Sequence, residues 1–227
     1  MSNGIIYIAI GESHLKLALK SAQSIIAASQ SQQNILILTN CDPCDFTFSH
    51  NITIKNIQVE TNKLGSLSPS SLSACLKTKL YQYSPFDKTL YLDNDIRAVK
   101  PIDTIWEFAD DWIGFAPAYN PIGLSDTYHV ESEELATQQL LISENTSQYN
   151  SGMFLFGKAS KTNSFFKLWF DEWSRFKYLD NKALTRILLM HKLSVNQIQS
   201  IYNQYHPNQT SDDILVHYID WYKRFLD

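Results

Sequence analysis

The chain has 227 residues, 44% of them hydrophobic and 19% charged, which is an ordinary globular composition and enough length for one domain with a substantial core. Its net charge of −4 excludes any general attraction to nucleic acid or to acidic membranes, so a bound anion has to be met by locally placed cations.

Apolar runs of strand length alternate with segments of helical period, and this pattern predicts an α/β protein with a mainly parallel sheet flanked by helices. "IIYIAI" (5–10) reads as a buried strand. Leu15, Leu19, Ala22, Ile25 and Ile26 then recur at helical spacing. "NILILT" (34–39) and "ITIKNIQV" (52–59) read as the next two strands. Ser68 before Pro69 is N-cap and first-turn chemistry, opening a helix that ends near Pro85. A fourth strand follows in "KTLYLD", and later strands are expected at 112–118, 152–158 and 213–218. Helices are expected at 131–143, 161–177 and 180–191. The Asn/Ser-rich span from about 119 to 150 reads as an excursion at one end of the sheet, leaving residues 1–227 a single domain.

Three cysteines, an odd number in a chain this long, argue against a disulfide framework. "CDPC" (41–44), with His50 nearby, has no second pair to complete a zinc site. The N-terminus lacks a basic n-region, and Ile5–Ile10 is too short for a signal sequence or a membrane span. The expectation is a cytoplasmic protein with no transmembrane segment, in which the sequons at Asn51, Asn145 and Asn208 carry no glycan. The five tryptophans read as core or helix-face residues.

The chemistry concentrates in "TLYLDNDIRAVKP" (89–101), where an apolar strand runs into Asp93 and Asp95. Side chains two apart in an extended segment share a side, so the carboxylates converge. Such a pair is costly at neutral pH unless a cation lies between them or a proton is shared. Hard oxygen ligands on a short loop suit Mg²⁺ or Mn²⁺, and the C-terminal end of a strand is where open α/β sheets bind ligands. Asn94, between the two, points the other way and serves the turn at the edge of this site.

"YLDNDIRAVKPIDTIWEF" resembles the signature of GT-A glycosyltransferases, especially the glycogenin and lipopolysaccharide galactosyltransferase group, family eight. The group's other motifs follow in order across about residues 4 to 225. "YIAIGESHLKLALKSAQSI" is similar to its first strand and helix. The resemblance implies that backbone at Ala9, Ile10 and Gly11 holds a uridine, with His14 at the position of a base-stacking Tyr. Lys79 falls where the group keeps a Lys reaching the sugar or diphosphate, with Lys77 the competing choice. "YNSGMFLF" looks like the group's Asn-Ser-Gly strand, which implies that Asn150, Ser151 and Gly152 line the acceptor side and that Asn150 faces the chemistry. "DNKALT" resembles the segment whose two leading residues, here Asp180 and Asn181, meet the sugar's reactive face. Asp180 as a helix N-cap is a competing role that can coexist. "ILVHYIDWYK" resembles the closing motif, which implies His217 as a third metal ligand and Lys223 as a diphosphate contact. Asp220 stands where the group has Gly.

The resemblance thus implies a GT-A fold with a nucleotide-binding half (1–100) and an acceptor-side half (101–227). It implies a metal-dependent transferase with Mn²⁺ or Mg²⁺ held by Asp93, Asp95 and His217. The donor would be a nucleotide-sugar, most simply a UDP-sugar, transferred with retention. The motifs name neither the sugar nor the acceptor, whether saccharide, lipid-linked or protein, nor the oligomeric state. Two other readings fit parts of the chain. A haloacid dehalogenase-like phosphatase also runs an apolar strand into Asp-x-Asp and would use Asp212 and Asp213 as a later acidic pair, but Arg97 stands where it expects Thr or Val. A nucleotide-sugar-binding protein that has lost catalysis is favoured by Asn181, Thr185 and Asp220. A sugar-nucleotide pyrophosphorylase wants a Gly-rich N-terminal loop that "GESHLK" does not offer.

Overall fold

The computed structural model describes residues 2–42, 49–58, 67–108, 111–122, 132–141, 143, 146–206 and 208–218. Strand β1 (Asn3–Ala9) is buried from Gly4 onward, because helices cover both its faces and no alternate residue reaches water. Its period of two still divides the core. Ile5, Tyr7 and Ala9 face a layer that includes Leu15, Ala18, Ala22 and Ile25 of α1 (Glu12–Ala28). Ile6 and Ile8 face an opposite layer with Phe165, Trp169, Ala183 and Leu184, which belong to α5 (Ser160–Phe176) and α6 (Asp180–Met190).

The remaining strands are β2 (Ile35–Thr39), β3 (Ile52–Asn56), β4 (Lys88–Leu92), β5 (Ile96–Ala98), β6 (Ile113–Ile122), β7 (Ser147–Gly157), β8 (Asn196–Gln197), β9 (Gln204–Tyr205) and β10 (Leu215–His217). A seven-stranded sheet has the order β3-β2-β1-β4-β7-β6-β8. Its β3-β2-β1-β4 side is parallel, and β7 runs antiparallel to both β4 and β6. The expected mixed, mainly parallel α/β sheet is therefore present. Because β1 has β2 on one side and β4 on the other, the chain reverses its direction of travel between β1 and β4. A crevice forms beyond the strand ends at such a point.

Two features depart from the expected pattern, and the excursion between them follows it. The helix opened by Ser68, whose Oγ accepts from the Ser71 N–H at 3.1 Å, breaks in two: α2 (Pro69–Lys77) and α3 (Leu80–Tyr83). At the break, Thr78 Oγ1 donates to the Cys75 carbonyl (2.8 Å) and Lys79 leaves helical geometry at φ −113°. The excursion around 119–150 is bracketed by β6 and β7, which pair as far as Ile122–Ser147, and it carries α4 (Ser132–Leu141). Finally, the strand expected at 213–218 is the three-residue β10, which joins β5 and β9 in a second, three-stranded sheet; β5 and β9 are too short for any periodicity to reveal. Among the described residues no helix is long and apolar enough to cross a membrane.

Candidate active site

A cleft of about 590 Å³ opens beyond the ends of β1 and β4. Ile8, Ile10, His14 and Leu17 form one wall. The chain turns from β1 into α1 at Gly11, whose φ of 93° lies in the region favouring glycine. The Gly11 N–H is tied to Asn40 Oδ1 at 2.9 Å. Helix α2 supplies the facing wall through Ser70 and Ser73 near its start and Lys77 at its end. Tyr178, Leu179 and Asp180 close it at the start of α6, and Asp93, Asn94 and Asp95 form its base.

Residues more than a hundred positions apart meet here because β10 pairs antiparallel with β5, setting His217 opposite Ile96, and the Tyr218 N–H donates to the Asp95 carbonyl at 3.0 Å. His217 Nε2 then lies 3.2 Å from Asp95 Oδ1. Asp93, Asp95 and His217 each offer a ligand atom within 4.8 Å of the others. The other ring nitrogen, Nδ1, is 3.2 Å from Asn203 Oδ1, and the ring stacks on Tyr205 with centroids 5.3 Å apart. An imidazole held at Nδ1 presents Nε2 in a fixed direction. Strand β7 backs the group: Asp93 N–H donates to the Gly152 carbonyl at 2.7 Å. A Cβ at 152 would stand 2.6 Å from Asp93 Oδ2 and 2.9 Å from His217 Cε1, so only glycine leaves this space open. Asn150 accepts from the Gly152 N–H (2.6 Å) and donates to the Tyr205 hydroxyl, while Ser151 is buried beside them.

Lys77 crosses the cleft at 3.2 Å from Asp93 Oδ1 and 3.4 Å from Asp180 Oδ2. Burial pulls its ammonium down, but Asp180 and Asp93 outweigh that and hold it above the ordinary lysine value. Burial alone would raise the Asp95 carboxyl, and the hydrogen bond and charge of His217 bring it below the usual range. For His217, desolvation favours the neutral ring, and Asp95, with Asp93 behind it, reverses that and raises its value. Tyr91 donates to Asp93 Oδ1 at 2.5 Å; burial first, then the Asp93 charge, keeps its hydroxyl protonated far above the usual range.

The sequence-derived residues distribute unevenly over this geometry. Ile10, His14, Asp93, Asn94, Asp95 and Asp180 line the cleft, and His217 with Asn150, Ser151 and Gly152 adjoins its base. Ala9 is buried beneath it. Asn94 does serve the turn, donating to the Ile8 carbonyl at 2.9 Å and so tying the β1 and β4 ends together. Lys79 does not enter: its ammonium lies 4.0 Å from the Phe170 ring centroid, in a separate crevice against α5. The lysine in the cleft is the competing Lys77, because α2 ends there and the break at Thr78 turns Lys79 away. Asn181 is not among the cleft-lining residues. The N-cap of α6 is Leu179, so Asp180 is not the cap; it is the first helical residue, and its carboxylate goes to Lys77. Asp213 accepts from the Thr210 N–H (2.5 Å) in the turn before β10. Cys41 is a free thiol, while Cys44, Asp220 and Lys223 lie outside the described residues. Tyr91, Asn203 and Tyr205 were not expected. Only the i, i+2 spacing of Tyr91 and Asp93 on one strand hinted at the first.

No protein-family profile matches the chain, and no curated protein matches it. Solved structures do. The galactosyltransferase LgtC, solved with donor and acceptor sugar analogues, has a TM-score of 0.66 at 16% identity, covering 95% of this chain and 87% of its own. Mouse xyloside xylosyltransferase 1 has a TM-score of 0.65 at 13% identity, with 97% and 98% covered. The bifunctional glycosyltransferase WbbM has a TM-score of 0.66 at 13% identity over 99% of this chain but 49% of its own. Together with the sheet order and the cleft at the β1/β4 reversal, this likeness settles the architecture: the chain has the GT-A fold of these glycosyltransferases.

Proposed function

We propose that the protein is a metal-dependent glycosyltransferase that moves a sugar from a nucleotide-sugar, a UDP-sugar in the simplest reading, to an acceptor with retention of configuration. One observation carries the proposal: Asp93, Asp95 and His217 converge at the base of an open cleft of about 590 Å³. Two carboxylates and an imidazole are a donor set suited to Mn²⁺ or Mg²⁺, and the missing side chain at Gly152 leaves the space beside them open. A divalent cation bound there would supply Lewis-acid stabilisation of the charge that develops on a departing nucleoside diphosphate.

The protein's own groups supply the rest. Ile8, Ile10 and His14 give the nucleotide an apolar wall and a ring to lie against. The Lys77 ammonium is a fixed positive charge beside the carboxylates, the local cation that an acidic chain needs for an anionic ligand. Asp180 faces the same space, paired with Lys77 at 3.4 Å, and is the carboxylate left to meet the sugar. Lys223 is retained as a diphosphate contact on the strength of the sequence resemblance. The parallel with the sugar-transferring neighbours supports transfer over phosphatase chemistry.

The test is a donor panel of UDP-, GDP- and dTDP-sugars with Mn²⁺, read as free nucleotide release. Wild-type protein releases UDP, and Asp95→Ala, with an unchanged circular dichroism spectrum, does not. Full turnover by that variant in chelator would overturn the mechanism.

A further inference from the structure

The carboxylate of Asp93 has two oxygens with different duties, and a buried hydroxyl separates them. Tyr91 is on β4, two residues before Asp93 and on the same side of the strand. Its ring is 1% exposed and stacks on Phe154 with centroids 4.9 Å apart and planes at 29°. Its hydroxyl donates to Asp93 Oδ1 at 2.5 Å, and that bond fixes the oxygen whether or not the stack is present. Lys77 reaches the same oxygen and lies 5.1 Å from the centre of the Tyr91 ring. The other oxygen, Oδ2, lies over Gly152 beside the His217 ring edge. A phenylalanine would fill the core here equally well. A hydroxyl buried this deeply is costly unless it is bonded, and among the described residues its hydrogen-bond partner is the Asp93 carboxylate.

We infer that Tyr91 is a positioning residue for the divalent cation: by occupying Oδ1 it turns Oδ2 of Asp93 toward Asp95 and His217. The inference rests on the metal reading proposed above. Partners that orient a ligating group in this way are worth roughly 10–100-fold in metal affinity. Two carboxylate oxygens free to exchange would give the cation a mobile ligand in place of a fixed one.

The experiment titrates Mn²⁺ alone into the metal-free protein and reads free Mn²⁺ by electron paramagnetic resonance, with no substrate present. Three proteins are compared: wild type, Tyr91→Phe and Phe154→Leu. Tyr91→Phe is isosteric and keeps the stack, so its melting temperature stays close to wild type while its Kd for Mn²⁺ rises about 10–100-fold. Phe154→Leu lowers the melting temperature but keeps the hydroxyl, and its Kd stays near wild type. Tyr91→Phe binding Mn²⁺ as tightly as wild type would overturn the inference alone, as would an equal loss in Phe154→Leu. Wild-type protein that takes up no Mn²⁺ would overturn the metal reading and this inference with it.

Discussion

Two clusters of buried charge lie close along α6, and they are built differently. At its N-terminal end, Asp93, Asp95 and Asp180 face one ammonium, Lys77, and one imidazole, His217. Six residues further along, Arg186 is fully buried between Glu134 of α4 (2.7 Å) and Glu172 of α5 (2.5 Å), and Arg175 pairs with Glu172 at 2.9 Å. The second cluster joins two carboxylates to two guanidiniums and is closed from the cleft. Its Arg186 also lies 4.7 Å from the Phe176 ring. The first joins three carboxylates to one ammonium and an imidazole, with the Arg97 guanidinium also acting on Asp95, and it opens on the cleft. The first cluster keeps its carboxylates open to the cleft, with Asp93, Asp95 and His217 each offering a ligand atom there, and that open side reads as room for a further cation. The balanced cluster reads as a fastener between three helices.

The comparison can be broken first at the fastener. Arg186→Met strands Glu134 and leaves Glu172 to Arg175 alone, and loss of one partner of a buried pair costs about 3–5 kcal/mol. Chemical denaturation measures this directly. Mn²⁺ affinity of the folded fraction should stay near wild type, and a proportionate loss of metal binding would show that the two clusters are one unit.

The cleft cluster is sharpened by the two lysines. Lys77→Met removes the charge beside Asp93, so donor turnover falls roughly 10²–10³-fold, as for other fixed groups that stabilise developing charge. Mn²⁺ binding tightens, because a competing cation has gone. Lys79→Met, whose ammonium lies against Phe170, should change turnover by less than about twofold, within the range of surface substitutions. A reversed pair of effects would return the donor role to Lys79.

These lysines also show where the sequence stopped being legible. Strands β1, β2 and β4 could be read because each is an apolar run bounded by turn residues. Asp93 and Asp95 could be read because β4 delivers them to its own end. His217 closes an apolar run, and its place beside the carboxylates came from the family resemblance, since β5 and β10 are too short to announce their pairing. The choice between Lys77 and Lys79 depended on a helix break at Thr78 that helical periodicity does not encode. Arg186, Glu134 and Glu172 look like ordinary solvated helix charges in the sequence, and only the packing of α4 and α5 on α6 buries them. Asp180 carried the right residue type for a cap, and Leu179 holds that position instead.

The central claim, that the cluster open to the cleft takes a cation to serve a nucleoside diphosphate, is tested most directly by calorimetric titration of UDP into the protein with Mn²⁺ and again in EDTA. The account predicts binding with Mn²⁺ and at least tenfold weaker binding in EDTA, a coupling of about 1.4 kcal/mol or more. Equal UDP affinity in the two buffers, or no UDP binding in either, would contradict it.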